Sequence, residues 1–117
     1  MAKNKSFLEK RGQFRVRVKI PVEYQRVDDP RKLKKLRGKT AVAKNLSQGG
    51  IYIKTIKPLK TGDILRLDII MPKKARNLFA FAEVVWADKE GSGIRLLLMP
   101  EEDKAALKAY LDKAFSQ

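Results

Sequence analysis

From Val16 to Gln25 apolar and polar side chains alternate, with Val16, Val18, Ile20, Val22 and Tyr24 on one side and Arg17, Lys19, Glu23 and Gln25 on the other. A period of two puts successive side chains on opposite faces of an extended chain, so this run buries one side only as a half-buried β-strand. Pro21 falls in the outward set and lacks an N–H, which assigns the strand to a sheet edge. The pattern then repeats. Residues 39–46 and 50–56 flank a Ser-Gln-Gly turn as a hairpin, with Ile51, Ile53 and Thr55 alternating against Tyr52, Lys54 and Ile56. "KTGD" (60–63) is a turn ahead of the β-rich run "ILRLDIIMP", and 77–88 and 92–99 flank the turn "DKEG" as a second hairpin. Six short strands with regular turns predict a mainly β fold, a six-stranded antiparallel barrel.

At Pro100 the period changes. Proline followed by Glu101, Glu102 and Asp103 is a helix start, because the acids lie at the positive end of the helix dipole. Leu107, Tyr110, Leu111 and Ala114 then recur every three or four residues, so 100–115 is predicted to be an amphipathic helix packed on the barrel or over its end. At 117 residues the chain fits one domain, with residues 1–15 as a flexible basic arm and 16–117 as barrel plus helix.

There is no cysteine and no histidine, which removes disulfides, thiolate nucleophiles, imidazole bases and nearly all zinc or haem ligation. The acids sit mostly in turns, outward strand positions and the helix, and no pair converges for proton transfer, so a non-catalytic protein without a metal is expected. The N-terminus lacks the apolar core of a signal peptide and no apolar run is long enough to span a bilayer, which predicts a cytoplasmic protein.

Charge points to an anionic partner. Of the net +14, +6 falls in residues 1–19 and +5 in residues 26–39. Concentrated basic blocks attract polyanions, so direct nucleic-acid binding is one functional reading. Single-stranded nucleic acid also calls for exposed rings. Here Phe79, Phe81, Trp86 and Tyr52 lie in strand patterns that assign them to core packing, which leaves Phe14 as the exposed candidate. Neither basic block is amphipathic enough to suggest insertion into a membrane.

Two short stretches carry the site chemistry. "KRGQFR" (10–15) places Arg11 and Arg15 four residues apart just ahead of the first strand. A guanidinium can grip a phosphate bidentately, pair with the O6/N7 edge of guanine or stack on a base, which suits a ligand that combines phosphate and purine. "NLSQGG" (45–50) offers the amide of Asn45, the hydroxyl of Ser47 and the bare backbone of Gly49 and Gly50. Adjacent glycines mark either positive φ or a close approach by another group.

The two stretches together resemble the RxxxR and (D/N)xSxxG signature of the PilZ domain family. "FAEVVW" (81–86) and "GIRLLLM" (93–99) resemble that family's last two strands, and the likeness spans roughly residues 8–115. The resemblance implies a six-stranded barrel that receives the bacterial second messenger cyclic di-GMP and signals to a downstream protein. By the same resemblance, Arg11 and Arg15 hold guanine and phosphate, Asn45, Ser47 and Gly50 line the barrel side, and Gly49 permits close approach. Lys10 stands where many members carry a third arginine, a position that bears on whether one nucleotide or a stacked pair binds. Cyclic di-GMP is thus the expected ligand, and nucleic-acid binding, direct or dependent on cyclic di-GMP, is the alternative.

Overall fold

The computed structural model describes residues 15–27, 39–73 and 76–115. These form β1 (Val16–Arg26), β2 (Lys39–Leu46), β3 (Gly50–Lys54), β4 (Ile64–Ile69), β5 (Leu78–Ala87), β6 (Ser92–Leu98) and α1 (Glu101–Phe115). Neighbouring strands pair antiparallel in the ring order β1-β2-β3-β6-β5-β4, and β4 closes on β1. The expected six-stranded barrel with a C-terminal helix is the observed architecture. The basic connection 28–38, and the arm apart from Arg15, lie outside the described residues.

The inward set is largely the one that alternation dictates. In β1, Ile20, Val22 and Tyr24 are buried, with Val16 and Val18 half-buried ahead of them. Large side chains face small ones across the ladder: Leu67 lies opposite Ala80 and Leu65 opposite Ala82, all four without solvent exposure. Such alternation lets side chains fill a narrow barrel.

Pro21 does not mark an edge. β1 is paired on both sides, to β2 and β4, because the ring is closed. The Pro21 carbonyl accepts the amide of Ile70, one residue past the end of β4, at 3.0 Å. The missing N–H therefore falls on the last rung of that ladder, where its loss removes little pairing.

Strict alternation also fails where the ladders slip. A shift between Ala43 and Asn45 on β2 turns Leu46 inward, so Asn45 is left at the barrel surface. On β5, Leu78, Ala80, Ala82 and Val84 point inward in step, but a shift between Val84 and Trp86 leaves both Val85 and Trp86 outside. One extra residue in a strand re-aims everything after it.

α1 packs against β5 and β1. Pro100 stands just before it, and its carbonyl accepts the amides of Asp103 and Lys104 at 3.0 and 2.9 Å. Leu107 and Leu111 are buried, with Tyr110 and Ala114 half-buried beside them. Asp103 does more than favour the helix start. It is only 2% exposed, its Oδ2 accepts the Phe79 amide at 2.9 Å, and its Oδ1 pairs with Arg76 at 2.9 Å. The helix is thereby tied to the beginning of β5. Asp103→Ala leaves the part-buried Phe79 amide without its acceptor and is expected to destabilise the fold by about 1–3 kcal/mol. Asp103→Asn keeps an acceptor for Phe79 and should lose less, since Arg76 is half-exposed and can return to water; thermal unfolding of both variants checks this order. No helix among the described residues is long and apolar enough to cross a membrane.

Candidate functional site

The turn between β2 and β3 is closed by Ser47 and Gly50. The Ser47 amide donates to the Gly50 carbonyl at 2.9 Å, and the Gly50 amide donates to the Ser47 hydroxyl at 3.1 Å. That hydroxyl in turn donates to the Gly50 carbonyl at 3.2 Å, with Ser47 fully buried. The Gly49 carbonyl accepts the Leu96 amide at 2.9 Å, which fixes the turn to β6. Neither glycine has positive φ. A Cβ built on Gly50 would lie 3.0 Å from the Ile94 carbonyl oxygen and 3.6 Å from an Arg15 guanidinium nitrogen. The bare backbone at Gly50 thus answers a need for close approach by β6, while the arginine lies at ordinary contact distance.

Arg15 precedes β1, and its guanidinium donates to Asn45 Oδ1 at 2.7 Å. The slip in β2 makes this bond possible, because it leaves the Asn45 amide outside the barrel. Arg95, opposite Gly50 on β6, is held by Glu83 at 2.6 Å. Of the expected site residues, Arg15, Asn45, Ser47 and Gly50 come together around this turn, with Gly49 within it. Lys10 and Arg11 lie outside the described residues.

Beside Arg15 stand two rings expected in core packing, although the alternation in β3 sets Tyr52 opposite the inward Ile51 and Ile53. Trp86 is 46% exposed and Tyr52 half-buried, and their rings stack at 5.5 Å between centroids with 23° between planes. Gly93 pairs with both residues across β6, and a Cβ there would collide with the Trp86 indole. A Cβ at Gly91 would strike the Tyr52 ring in the same way, at 2.6 Å from its hydroxyl oxygen. These two glycines make room for an aromatic shelf on the outer wall. A glycine within a strand pattern, such as Gly93, is the sequence signal that could have found it. Phe79 and Phe81 likewise lie half-buried outside the barrel, edge to face at 5.1 Å, with Arg66 over the Phe79 ring at 5.0 Å.

Arg15, Asn45, Tyr52, Trp86 and Gly93 line one open concavity of about 420 Å³. It combines a fork of cationic donors, an amide and a pair of stacked rings. That set can hold a planar, anionic ligand by stacking and charge-assisted hydrogen bonds together.

Solved structures share the fold, among them two bacterial proteins. The Bacillus subtilis inhibitor of motility (MotI/DgrA) superposes with a TM-score of 0.68 at 22% identity over 86% of this chain and 49% of its own, so the chain spans about half the length of that protein. The PilZ domain of CeSA from a cellulose-synthesizing bacterium gives 0.62 at 18% identity, covering 88% of this chain and 96% of its own. No curated protein matches the chain. The PilZ domain family matches residues 9–113, nearly the full length and with both arginines of the arm included; the chain belongs to the PilZ domain family.

Proposed function

We propose that this chain is a cyclic di-GMP receptor without catalytic activity, acting in the cytoplasm, which takes the nucleotide between its N-terminal arginines and the outer wall of the barrel. PilZ domains are generally cyclic di-GMP-binding effector domains. The observation that carries the reading is the concavity itself, where the Arg15 guanidinium stands beside the Tyr52 and Trp86 shelf. In this reading a guanine stacks on the shelf and Arg15 grips phosphate or the O6/N7 edge of a base. Asn45 holds the guanidinium in place, Ser47 shapes the turn, and Gly50 keeps the approach open. Arg11 and Lys10 close over the ligand from the arm, so binding draws that segment against the barrel and creates a surface for a downstream protein.

Trp86 is the only tryptophan in the chain, so its emission reports on this site alone. Cyclic di-GMP is expected to quench it with the same midpoint that calorimetry gives, and GTP and cyclic GMP to bind at least tenfold more weakly. Equal affinity for the three nucleotides, or binding that leaves the Trp86 emission unchanged, overturns the reading.

A further inference from the structure

A second concavity, of about 400 Å³, opens at the end of the barrel where β1 finishes, β2 begins and the β3–β4 loop turns back. Its lining includes Tyr24, Arg26, Lys39, Lys57, Lys60 and Asp63, and it shares no lining residue with the nucleotide concavity. Four cations thus surround one acid. Asp63 is itself paired with Arg26 at 3.8 Å, whereas Lys39, Lys57 and Lys60 make no ion pair among the described residues. Burial pushes the Tyr24 phenol up, so that ring adds no negative charge to the rim. The β5–β6 turn at the same end carries Asp88 and Glu90 beside Lys89, so the positive charge belongs to the β1, β2 and β3–β4 loop sector.

Next to Lys57 in the chain stands Ile56, 96% exposed. A lone exposed isoleucine is ordinary on a protein surface. This one is held in place at a loop tip. The Thr55 hydroxyl donates to the Lys57 carbonyl at 2.6 Å across it, and Leu59 anchors the other side of the loop against the core. The β3–β4 loop therefore presents a fixed aliphatic knob flanked in the chain by exposed Lys54, Lys57 and Pro58, on the loop whose Lys57 and Lys60 line the concavity with Lys39.

We propose that this end of the barrel docks on an anionic lipid bilayer, with Ile56 entering the interface and the surrounding lysines lying among the headgroups. An apolar tip with a basic surround supplies the two attractions that interfacial binding combines, buried apolar area and charge. Each lysine near such a surface strengthens binding about fivefold. A nucleic acid fits less well, because single strands bind on stacked rings and the only ring here, Tyr24, is buried. The attachment is weak and reversible, as expected for one short apolar anchor.

Sedimentation of the full chain with vesicles tests this. Binding is expected to vesicles of phosphatidylcholine mixed with phosphatidylglycerol and not to phosphatidylcholine alone. Lys57→Ala with Lys60→Ala should lower the partition about 25-fold, and Ile56→Ser about tenfold. In Ile56→Trp, emission from the added indole should shift to the blue on anionic vesicles. Equal binding to neutral vesicles, wild-type partition of Ile56→Ser, or lysine-dependent binding to an oligonucleotide without binding to vesicles would each overturn the proposal. None of these positions lines the nucleotide concavity, so vesicle binding can fail while cyclic di-GMP binding stands, and the reverse.

Discussion

Arg15→Ala is expected to weaken cyclic di-GMP binding at least tenfold, and at least a hundredfold if the guanidinium makes two bonds to the ligand. Charge-assisted hydrogen bonds contribute about 1.5–3 kcal/mol each, and about 1.4 kcal/mol corresponds to a factor of ten in affinity. Arg15→Lys should recover only part of the loss, since an ammonium keeps the charge but not the planar fork. Asn45→Ala should give a smaller defect, because Asn45 acts mainly by holding the Arg15 guanidinium at 2.7 Å. Arg15 is exposed, so the losses in its own variants should come without a change in melting temperature. Calorimetric titration beside thermal unfolding separates the two effects, and an Arg15→Ala protein that binds as tightly as wild type removes the residue from the site.

Leu67→Ala is expected to cost about 3–5 kcal/mol, the upper part of the range for truncating a buried leucine. The reason is its neighbour. Leu67 lies opposite Ala80 and is fully buried, so the residue beside the new cavity is already too small to fill it. A loss of this size is a large fraction of the stability of an ordinary domain, and it should lower the melting temperature by roughly 10–25 °C. Leu98→Ala is the control. Leu98 is 66% exposed, and its truncation should move the transition little.

The barrel was legible in the sequence because a half-buried strand has to repeat every two residues. Ile51, Ile53 and Thr55 inward and Ile56 outward follow from that period alone, as does the change of rhythm that begins the helix. The shelf was not legible, because the same period carries Trp86 inward in step with Ala82 and Val84. A single extra residue at Val85 reverses its face, and a slip of that kind leaves no mark in a pattern of apolar residues. Pro21 misled for a related reason: edge strands tolerate proline, but so does the last rung of a closed ladder. The turn residues around Ser47 and Gly50 were readable as a group, whereas their division of labour was not. Nothing in "NLSQGG" says that the serine hydroxyl faces its own turn while the asparagine amide reaches a guanidinium thirty positions away in the chain.

The closed ring of strands also limits how anything downstream can read this protein. Many signalling modules accept a partner by letting its extended segment join an exposed sheet margin, with backbone groups supplying the affinity. Here each strand has a neighbour on both sides over much of its length, and the stretches that run past a ladder, such as Val16–Lys19 of β1 and Leu97–Leu98 of β6, are short, so that mode has little free backbone to use. Recognition then rests mainly on side chains and surface contour, and any partner of the proposed receptor would have to distinguish its loaded form by what protrudes from the wall.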